Sequence, residues 1–129
     1  MPWRTVRKNV GLIVERHGLD SAAMAPRVDE SLELGGLTEH EVKYPRQLSG
    51  GMKMRASLAR SLVLQPDVFL FDEPFGALDE ISRERLNDEL LSLFKAKNFA
   101  GLFITHSIAE AVFLSTRLLV MSSRPGRLV

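Results

Sequence analysis

The stretch Val68-Phe69-Leu70-Phe71-Asp72-Glu73 decides the fold of this chain. Its first four residues are apolar without alternation, which is typical of a parallel strand covered on both faces. The segment before it opens with Leu48-Ser49-Gly50-Gly51-Met52 and continues with apolar residues at helical spacing, which are Met54, Leu58, Ala59 and Leu62. Pro66 ends that helix, because proline has no amide hydrogen to donate. The two stretches predict a helix followed by a buried strand that ends in two carboxylates.

The pattern after this strand alternates between helix and strand. Asp79 is a suitable N-cap for a long helix, whose apolar stripe consists of Leu86, Leu90, Leu93 and Phe94. The charged residues of the same helix are expected on its solvent face; they are Arg83, Glu84, Arg85, Asp88 and Glu89. Residues 102–104 predict a short buried strand, residues 107–114 a helix, and residues 118–121 a further strand. This alternation predicts an α/β layered fold.

The first 47 residues predict short helices instead. Residues 5–17 carry apolar side chains at helical spacing, with Thr5 as the cap and Gly18 at the end. A second helix is predicted for residues 26–34, with Pro26 in its first turn. A third, short helix is predicted for residues 38–42.

Composition limits the possible functions. The chain has 129 residues, of which 45% are hydrophobic and 26% charged, and this fits one soluble globular domain. Its net charge of +1 gives no basic field, so we expect no nucleic-acid partner. The absence of cysteine excludes disulfides and thiolate metal sites. The chain shows neither the apolar core of a signal peptide nor a run near the roughly 18 residues of a membrane span, so we expect neither export by that route nor a membrane crossing.

Residues 48–52 have the composition of an anion-binding turn. Gly50 and Gly51 have no side chains, so the amides at the start of the following helix are open to a phosphate, and Ser49 adds a hydroxyl. By itself, Ser-Gly-Gly also fits a flexible turn that only precedes a helix.

The carboxylates after the buried strand suit a phosphate-binding edge. Asp72 would lie at the carboxyl end of the strand, where α/β sheets bind ligands, and could hold Mg²⁺ directly or through water. Glu73 points elsewhere and could act as a general base toward water. Taken alone, Asp-Glu-Pro also fits a solvated turn, and Asp79 a simple helix cap.

His106 follows the apolar residues 102–104 and precedes a helix, so its ring could reach a phosphate and a water. A single histidine is more often an ordinary surface or capping group. His17 and His40 have no comparable setting, and we expect both to be solvated.

In this order, the motifs resemble those of ABC (ATP-binding cassette) transporter ATPases. Residues 48–52 resemble the family signature, Phe69-Leu70-Phe71-Asp72-Glu73 the Walker B strand, Gly76-Ala77-Leu78-Asp79 the D-loop, and Thr105-His106 the switch histidine. The resemblance covers essentially the whole chain. Met52, together with the opening Pro2-Trp3-Arg4-Thr5-Val6 and the ending Met121-Ser122-Ser123-Arg124-Pro125-Gly126-Arg127, is most similar to the branch that imports nitrate, sulfonate or taurine.

The resemblance implies a partial P-loop NTPase-type fold, a three-layer parallel sheet with a helical subdomain. Residues 1–47 would be the part of the helical subdomain that follows the glutamine loop, and residues 48–129 the signature helix and the C-terminal part of the ATPase core. A phosphate loop of the form G-x-x-x-x-G-K-S/T is not found between Met1 and Val129, so the chain resembles the second half of a cassette.

The resemblance also implies a role for each candidate residue. ATP would bind the signature residues, together with Asp79; the signature residues are Leu48, Ser49, Gly50, Gly51 and Met52. Mg²⁺ would bind Asp72. Glu73 would be the catalytic base, and His106 would contact the γ-phosphate.

The same resemblance implies partners and a location. The ATPase would form a head-to-tail homodimer with a second ATPase subunit, bind a transmembrane permease, and depend indirectly on an extracytoplasmic substrate-binding protein. It would be cytoplasmic and peripheral on the inner face of the plasma membrane, and it would energise uptake of a small anion such as nitrate, sulfonate or taurine. Trp3 would be either a permease anchor or a core residue.

Two alternatives stay open beside the importer ATPase. The chain could be an inactive binding module that supplies a signature in trans or occupies the permease. A DNA-repair type ABC ATPase fits less well, because the first 47 residues lack coiled-coil heptads. Without the phosphate loop and its lysine, the isolated chain is expected to show no ATPase activity. It is also expected to expose an apolar edge and face of its sheet, and therefore to associate.

Overall fold

The computed structural model of the chain describes residues 1–97 and 99–129 and shows an α/β structure with a two-stranded parallel sheet. Its elements in chain order are α1 (Val6–Val10), α2 (Leu12–Arg16), α3 (Ser21–Leu34), α4 (Gly50–Leu62), β1 (Val68–Asp72), α5 (Glu80–Ala96), β2 (Ala100–Ile104) and α6 (Ile108–Leu114). The α/β class is confirmed. None of the helices in the described residues combines the length and the apolar character that a membrane crossing requires.

The predicted start of the chain is only partly right. The single helix predicted for residues 5–17 is two helices, because Gly11 ends α1 and glycine weakens a helix interior. Thr5 is the cap that was predicted. The helix predicted from Pro26 begins instead at Ser21, since Asp20 accepts a hydrogen bond from the Ala22 amide at 2.9 Å and outweighs the proline as a start signal.

A hydrophobic cluster joins these helices to α4. Its buried residues come from α1, α2, α3 and α4 and the turns between them; they are Val6, Val10, Val14, Val28, Leu32, Leu37, Leu48, Ala59 and Val63. The helix predicted for residues 38–42 is a single 3₁₀ turn at Thr38–His40. Since Leu48, Ala59 and Val63 belong to this cluster, its core crosses residue 47, and the division of the chain there stays a prediction.

The sheet forms as the sequence pattern predicts, with β1 and β2 parallel and Asp72 opposite Ile104. One face is packed by α4 and α5 in a second cluster, formed by Leu62, Phe69, Phe71, Phe75, Leu86, Leu90 and Leu93. Gly101 of β2 leaves room for this packing, because a Cβ at this position would lie 2.7 Å from Cζ of Phe94 and the ring would have to move. Helix α5 connects the two strands by crossing over this face of the sheet, so that β2 lies parallel beside β1.

The other face of the sheet is bare in the described chain. Its apolar side chains are exposed, and they are Val68, Leu70, Leu102 and Ile104. The prediction that β1 is covered on both faces is therefore wrong for this chain. The expectation of an exposed apolar face is confirmed.

The predicted strand at residues 118–121 is also wrong. The described residues there form no named strand, and Met121 makes only an isolated antiparallel bridge to Leu128. Leu118, Leu119 and Val120 are exposed. A strand needs a neighbouring strand to take its hydrogen bonds. Among the described residues only the short segment 127–129 lies beside residues 120–122, where the Val129 amide donates to the Val120 carbonyl oxygen at 3.0 Å.

We expect the chain to associate at micromolar concentration through its bare sheet face. Leu70 is 75% exposed on that face, so Leu70→Lys should shift the mass measured by light scattering toward the monomer, because a charge opposes apolar burial. Ile81 is 81% exposed on α5, and Ile81→Lys is the matched control. A monomer already present in the unchanged chain, or equal shifts for both variants, would contradict this.

Candidate functional site

Parallel pairing brings the residues after β1 and β2 to one edge of the sheet. The Glu73 amide donates to the Ile104 carbonyl oxygen at 2.9 Å and extends the ladder by one residue. Nδ1 of His106 lies 3.2 Å from Oε1 of Glu73, and both side chains are exposed. The structure therefore places two of the predicted site residues in contact at a solvent-accessible edge.

The backbone at Glu73 is unusual. Its φ is +43°, in the left-handed region that residues with a side chain seldom adopt, at a cost of about 1 to 3 kcal/mol. The Gly76 amide donates to the Glu73 carbonyl oxygen at 3.1 Å and closes the turn. The turn directs the Glu73 carboxylate toward His106 instead of continuing the strand.

Asp72 ends β1 beside this pair and is exposed. Among residues 1–97 and 99–129 no group of three or more His, Cys, Asp or Glu side chains is arranged to hold a metal ion. Mg²⁺ commonly takes only one or two protein carboxylates and completes its shell with water and phosphate oxygens. The Asp72 carboxylate therefore fits Mg²⁺ that arrives with a phosphate, and does not fit a metal site built from protein ligands alone.

Residues 48–52 lie at the start of α4. Ser49 caps the helix by accepting a hydrogen bond from the Met52 amide at 3.3 Å, while Leu48 is buried. A Cβ on Gly50 would lie 3.1 Å from Cδ2 of Leu78, so Gly50 allows residues 76–79 to pack closely against the helix start. The 13-residue helix directs its amino-terminal dipole toward this exposed turn, which favours an anion.

Asp79 caps α5. Its carboxylate accepts hydrogen bonds from the Ser82 amide at 2.9 Å and from the Ser82 hydroxyl at 2.7 Å. These two bonds to the ionised form lower the pKa of Asp79 below its ordinary value. The simple capping role considered from the sequence is confirmed.

The candidate residues form two surfaces. One is the sheet edge with Asp72, Glu73 and His106, and the other is the α4 start with residues 48–52. In the part of the chain that the structure describes, no hydrogen bond or ion pair joins the two surfaces. The segment 76–79 touches the second surface through Leu78 and follows the first through the Glu73 turn.

Sequence reasoning missed Glu110 and misread Arg83. Glu110 is buried, and Nε of Arg83 lies 3.3 Å from its Oε1, so Arg83 belongs to an ion pair and not to a wet helix face. Glu89 likewise pairs with Arg55 of α4. The sequence signal for this burial is a single carboxylate in the otherwise apolar stretch Ile108-Ala109-Glu110-Ala111-Val112-Phe113-Leu114.

His40 also departs from the expectation that it is solvated, since its Nδ1 is buried without a hydrogen-bond partner among the described residues.

Comparison with known proteins fits this geometry. A family model for ABC transporters matches residues 1–76. The chain belongs to the ABC transporter family. The resemblance read from the four motifs is confirmed.

Relatives come from the importer branch that the sequence indicated. The taurine import ATP-binding protein of Rhizobium johnstonii is 46% identical over 129 residues, which are 100% of this chain and 49% of the relative. The nitrate import ATP-binding protein of Synechococcus elongatus is 45% identical over 128 residues, 98% of this chain and 47% of the relative. The aliphatic sulfonates import ATP-binding protein of Bacillus licheniformis is 39% identical over 127 residues, 98% of this chain and 49% of the relative. The chain spans about half the length of the curated relatives it matches.

The Asp79 cap predicts a pH dependence. Because its pKa is lowered on folding, the cap contributes stability fully above the unfolded value of about 3.9 and loses it as the pH falls through the lower folded pKa. Asp79→Asn keeps a capping side chain without the charge. We expect unchanged Asp79 to raise the thermal midpoint above that of Asp79→Asn at pH 6, with the difference shrinking toward pH 2. A difference independent of pH would rule out the charged cap.

The contact between Gly50 and Leu78 predicts a coupling between the two positions. Gly50→Ala should be less favourable with Leu78 present than in a Leu78→Ala background, because the added methyl group lies 3.1 Å from the leucine side chain. The matched control is Gly51→Ala, whose Cβ would lie 3.6 Å from Cδ1 of Leu86, an ordinary contact. A double-mutant cycle by urea unfolding measures both. Equal behaviour of the two glycines toward Leu78→Ala would show that the close approach carries no energetic weight.

Proposed function

We propose that this chain provides the carboxylate, histidine and signature surfaces of an ATP-hydrolysing subunit of an ABC importer for a small anion such as taurine, a sulfonate or nitrate. The observation that carries the proposal is the Glu73–His106 contact at the carboxyl edge of the parallel sheet. The names of the taurine, nitrate and sulfonate relatives support the same substrate class.

The sheet edge would act on ATP bound to the subunit. Bound ATP supplies the phosphoryl group that is transferred to water, and Mg²⁺ neutralises phosphate charge. Asp72 would hold the Mg²⁺, Glu73 would polarise the attacking water as general base, and His106 would contact the γ-phosphate. The Glu73–His106 contact places the two side chains beside each other, at the edge where the γ-phosphate and the attacking water would lie.

The start of α4 would act on a second ATP. Because no described contact joins residues 48–52 to the sheet edge, we infer that the two surfaces serve different nucleotides, as in a head-to-tail homodimer. The amides after Gly50 and Gly51 would bind phosphate oxygens across that interface. Asp79 would line the binding site of the same nucleotide and would also cap α5.

The remaining assignments belong to the whole subunit. We propose a three-layer parallel sheet in which the bare face with Leu70 is covered, a helical subdomain ending at residue 47, and an ATPase core from residue 48. The permease would bind the helical region, where Trp3 is 70% exposed and so is available as an anchor instead of a core residue. The subunit would lie on the inner face of the plasma membrane, and an extracytoplasmic substrate-binding protein would deliver the anion.

A second candidate function is an inactive binding module. The separation of the α4 start from the sheet edge favours it, because residues 48–52 could serve a partner without the Glu73–His106 pair. Such a module would lend its α4 start to a partner cassette, or occupy a permease without turnover.

The experiment joins this chain to the part of the Rhizobium johnstonii relative that lies outside the match, and measures Mg-ATP binding by calorimetry and phosphate release. We expect the joined subunit to bind and hydrolyse ATP. Glu73→Gln should keep binding and lower kcat by about 100-fold or more, the usual contribution of a general base. Glu84→Gln on the exposed face of α5 is the control for the same chemical change.

Two outcomes separate the candidates. Undiminished hydrolysis in Glu73→Gln would remove Glu73 as the base. The 129-residue chain alone is expected to bind no Mg-ATP, and micromolar binding by it would mean that its surfaces form a complete site without a phosphate loop. Rescue of a cassette with a disabled signature by this chain, without turnover in the joined subunit, would favour the binding module.

A further inference from the structure

Glu110 has no role in the proposed reaction, yet its carboxylate is buried. Of the acidic side chains that the structure describes, it alone is buried, at 4% exposure, in the short helix α6. Burying a carboxylate is costly unless hydrogen bonds and an opposite charge compensate it. Its partners therefore indicate what the charge holds in place.

One side of Glu110 holds the turn after β2. Its Oε2 accepts a hydrogen bond from the Thr105 hydroxyl at 2.6 Å, and the Thr105 hydroxyl oxygen accepts from the Ser107 amide at 3.0 Å. Ser107 in turn caps α6 by accepting from the Glu110 amide at 3.4 Å. His106 lies between the two residues so fixed, and it makes no part of these bonds itself.

The other side of Glu110 faces α5. Nε of Arg83 lies 3.3 Å from Oε1, at ion-pair distance, although its N–H is not aligned for a hydrogen bond. Nη2 of the same arginine donates to the Leu78 carbonyl oxygen at 3.2 Å. Arg83 thus ties the buried carboxylate to residues 76–79, which pack against Gly50.

We propose that Glu110, with Thr105 and Arg83, is a positioning residue for His106: the buried carboxylate fixes the turn that holds the His106 ring at Glu73. Three observations support this reading over a tie for α6 alone. The Thr105 hydroxyl bonds across His106 to the Ser107 amide and the Glu110 carboxylate, the carboxylate is buried while the ring is exposed, and the ring lies 3.2 Å from Glu73. The importance of this for hydrolysis rests on the proposed function, whereas the placement of the ring does not.

The first test uses the 129-residue chain and needs no nucleotide. Thr105→Val keeps the shape but removes the hydroxyl, and Thr105→Ser is the matched control that keeps it. In Thr105→Val we expect the Ser107 amide to exchange about five- to tenfold faster, the factor for one net hydrogen bond, and the nuclear Overhauser contact between the His106 ring and Glu73 to disappear. Thr105→Ser should retain both. An unchanged ring contact in Thr105→Val would overturn the proposal.

A second variant covers loss of folding. If Thr105→Val lowers the thermal midpoint below the measuring temperature, Glu110→Gln replaces it, because the amide keeps the side-chain volume and can still accept from Thr105 while losing the charge facing Arg83. We expect the His106 ring resonances to move in Glu110→Gln and to stay in place in Glu84→Gln, an exposed change of the same type. Ring resonances identical to those of the unchanged chain would contradict the positioning role.

The last measurement separates this inference from the proposed function. In the joined subunit, Thr105→Val should lower kcat at least about tenfold with KM for ATP changed less than about twofold. Thr105→Ser, which keeps the hydroxyl, should have a kcat close to that of the unchanged subunit. Because a smaller folded fraction by itself lowers the apparent kcat and leaves KM unchanged, kcat is divided by the folded fraction of each variant, measured by circular dichroism on the same sample. A kcat deficit in Thr105→Val that disappears on this division would overturn the role in hydrolysis. If the joined subunit hydrolyses no ATP at all, the proposed function fails, and the exchange and ring measurements still decide the placement of His106.

Discussion

Parallel pairing of β1 with β2 is the constraint on which the rest of the structure depends. It requires a crossover, which α5 supplies, and it aligns Asp72 with Ile104 at the end of the ladder. The residues directly after each strand then lie at one edge of the sheet, and this is why Glu73 and His106 meet although they are far apart in sequence. A slip of one residue would turn Phe103 out of the aromatic cluster, so packing and site geometry select the same register.

The helix α4 links the two parts of the molecule. Ala59 packs into the cluster of the first helices, and Leu62 packs into the cluster beneath the sheet. An ion pair between Arg55 and Glu89 joins α4 to α5 as well. Because the glycine turn lies at the start of this shared helix, its position is fixed against the helical region and against the sheet together. The proposed binding of a nucleotide held by another subunit would need a turn that is held in place in this way.

The two surfaces differ in charge. The sheet edge presents carboxylates, which repel phosphate unless a cation or a lysine neutralises it, and the α4 start presents amides and a helix dipole, which attract phosphate. Neither surface by itself neutralises the negative charge of a triphosphate. The sheet also has one apolar face without packing partners in the described chain. Its exposed side chains are Val68, Leu70, Leu102 and Ile104.

The sequence by itself determined the α/β class, the strand at β1, the helices α4, α5 and α6, and the caps Thr5 and Asp79. These features depend on local rules, namely apolar spacing, capping chemistry and proline or glycine stops. The break at Gly11 and the Asp20 cap of α3 are local as well, although apolar spacing and Pro26 indicated other helix bounds. Tertiary structure decided the exposure of one face of β1, the absence of a named strand at residues 118–121, and the burial of Glu110. Each of these depends on whether a neighbouring element is there to take a hydrogen bond, a charge or an apolar face, and local sequence does not record where that neighbour lies.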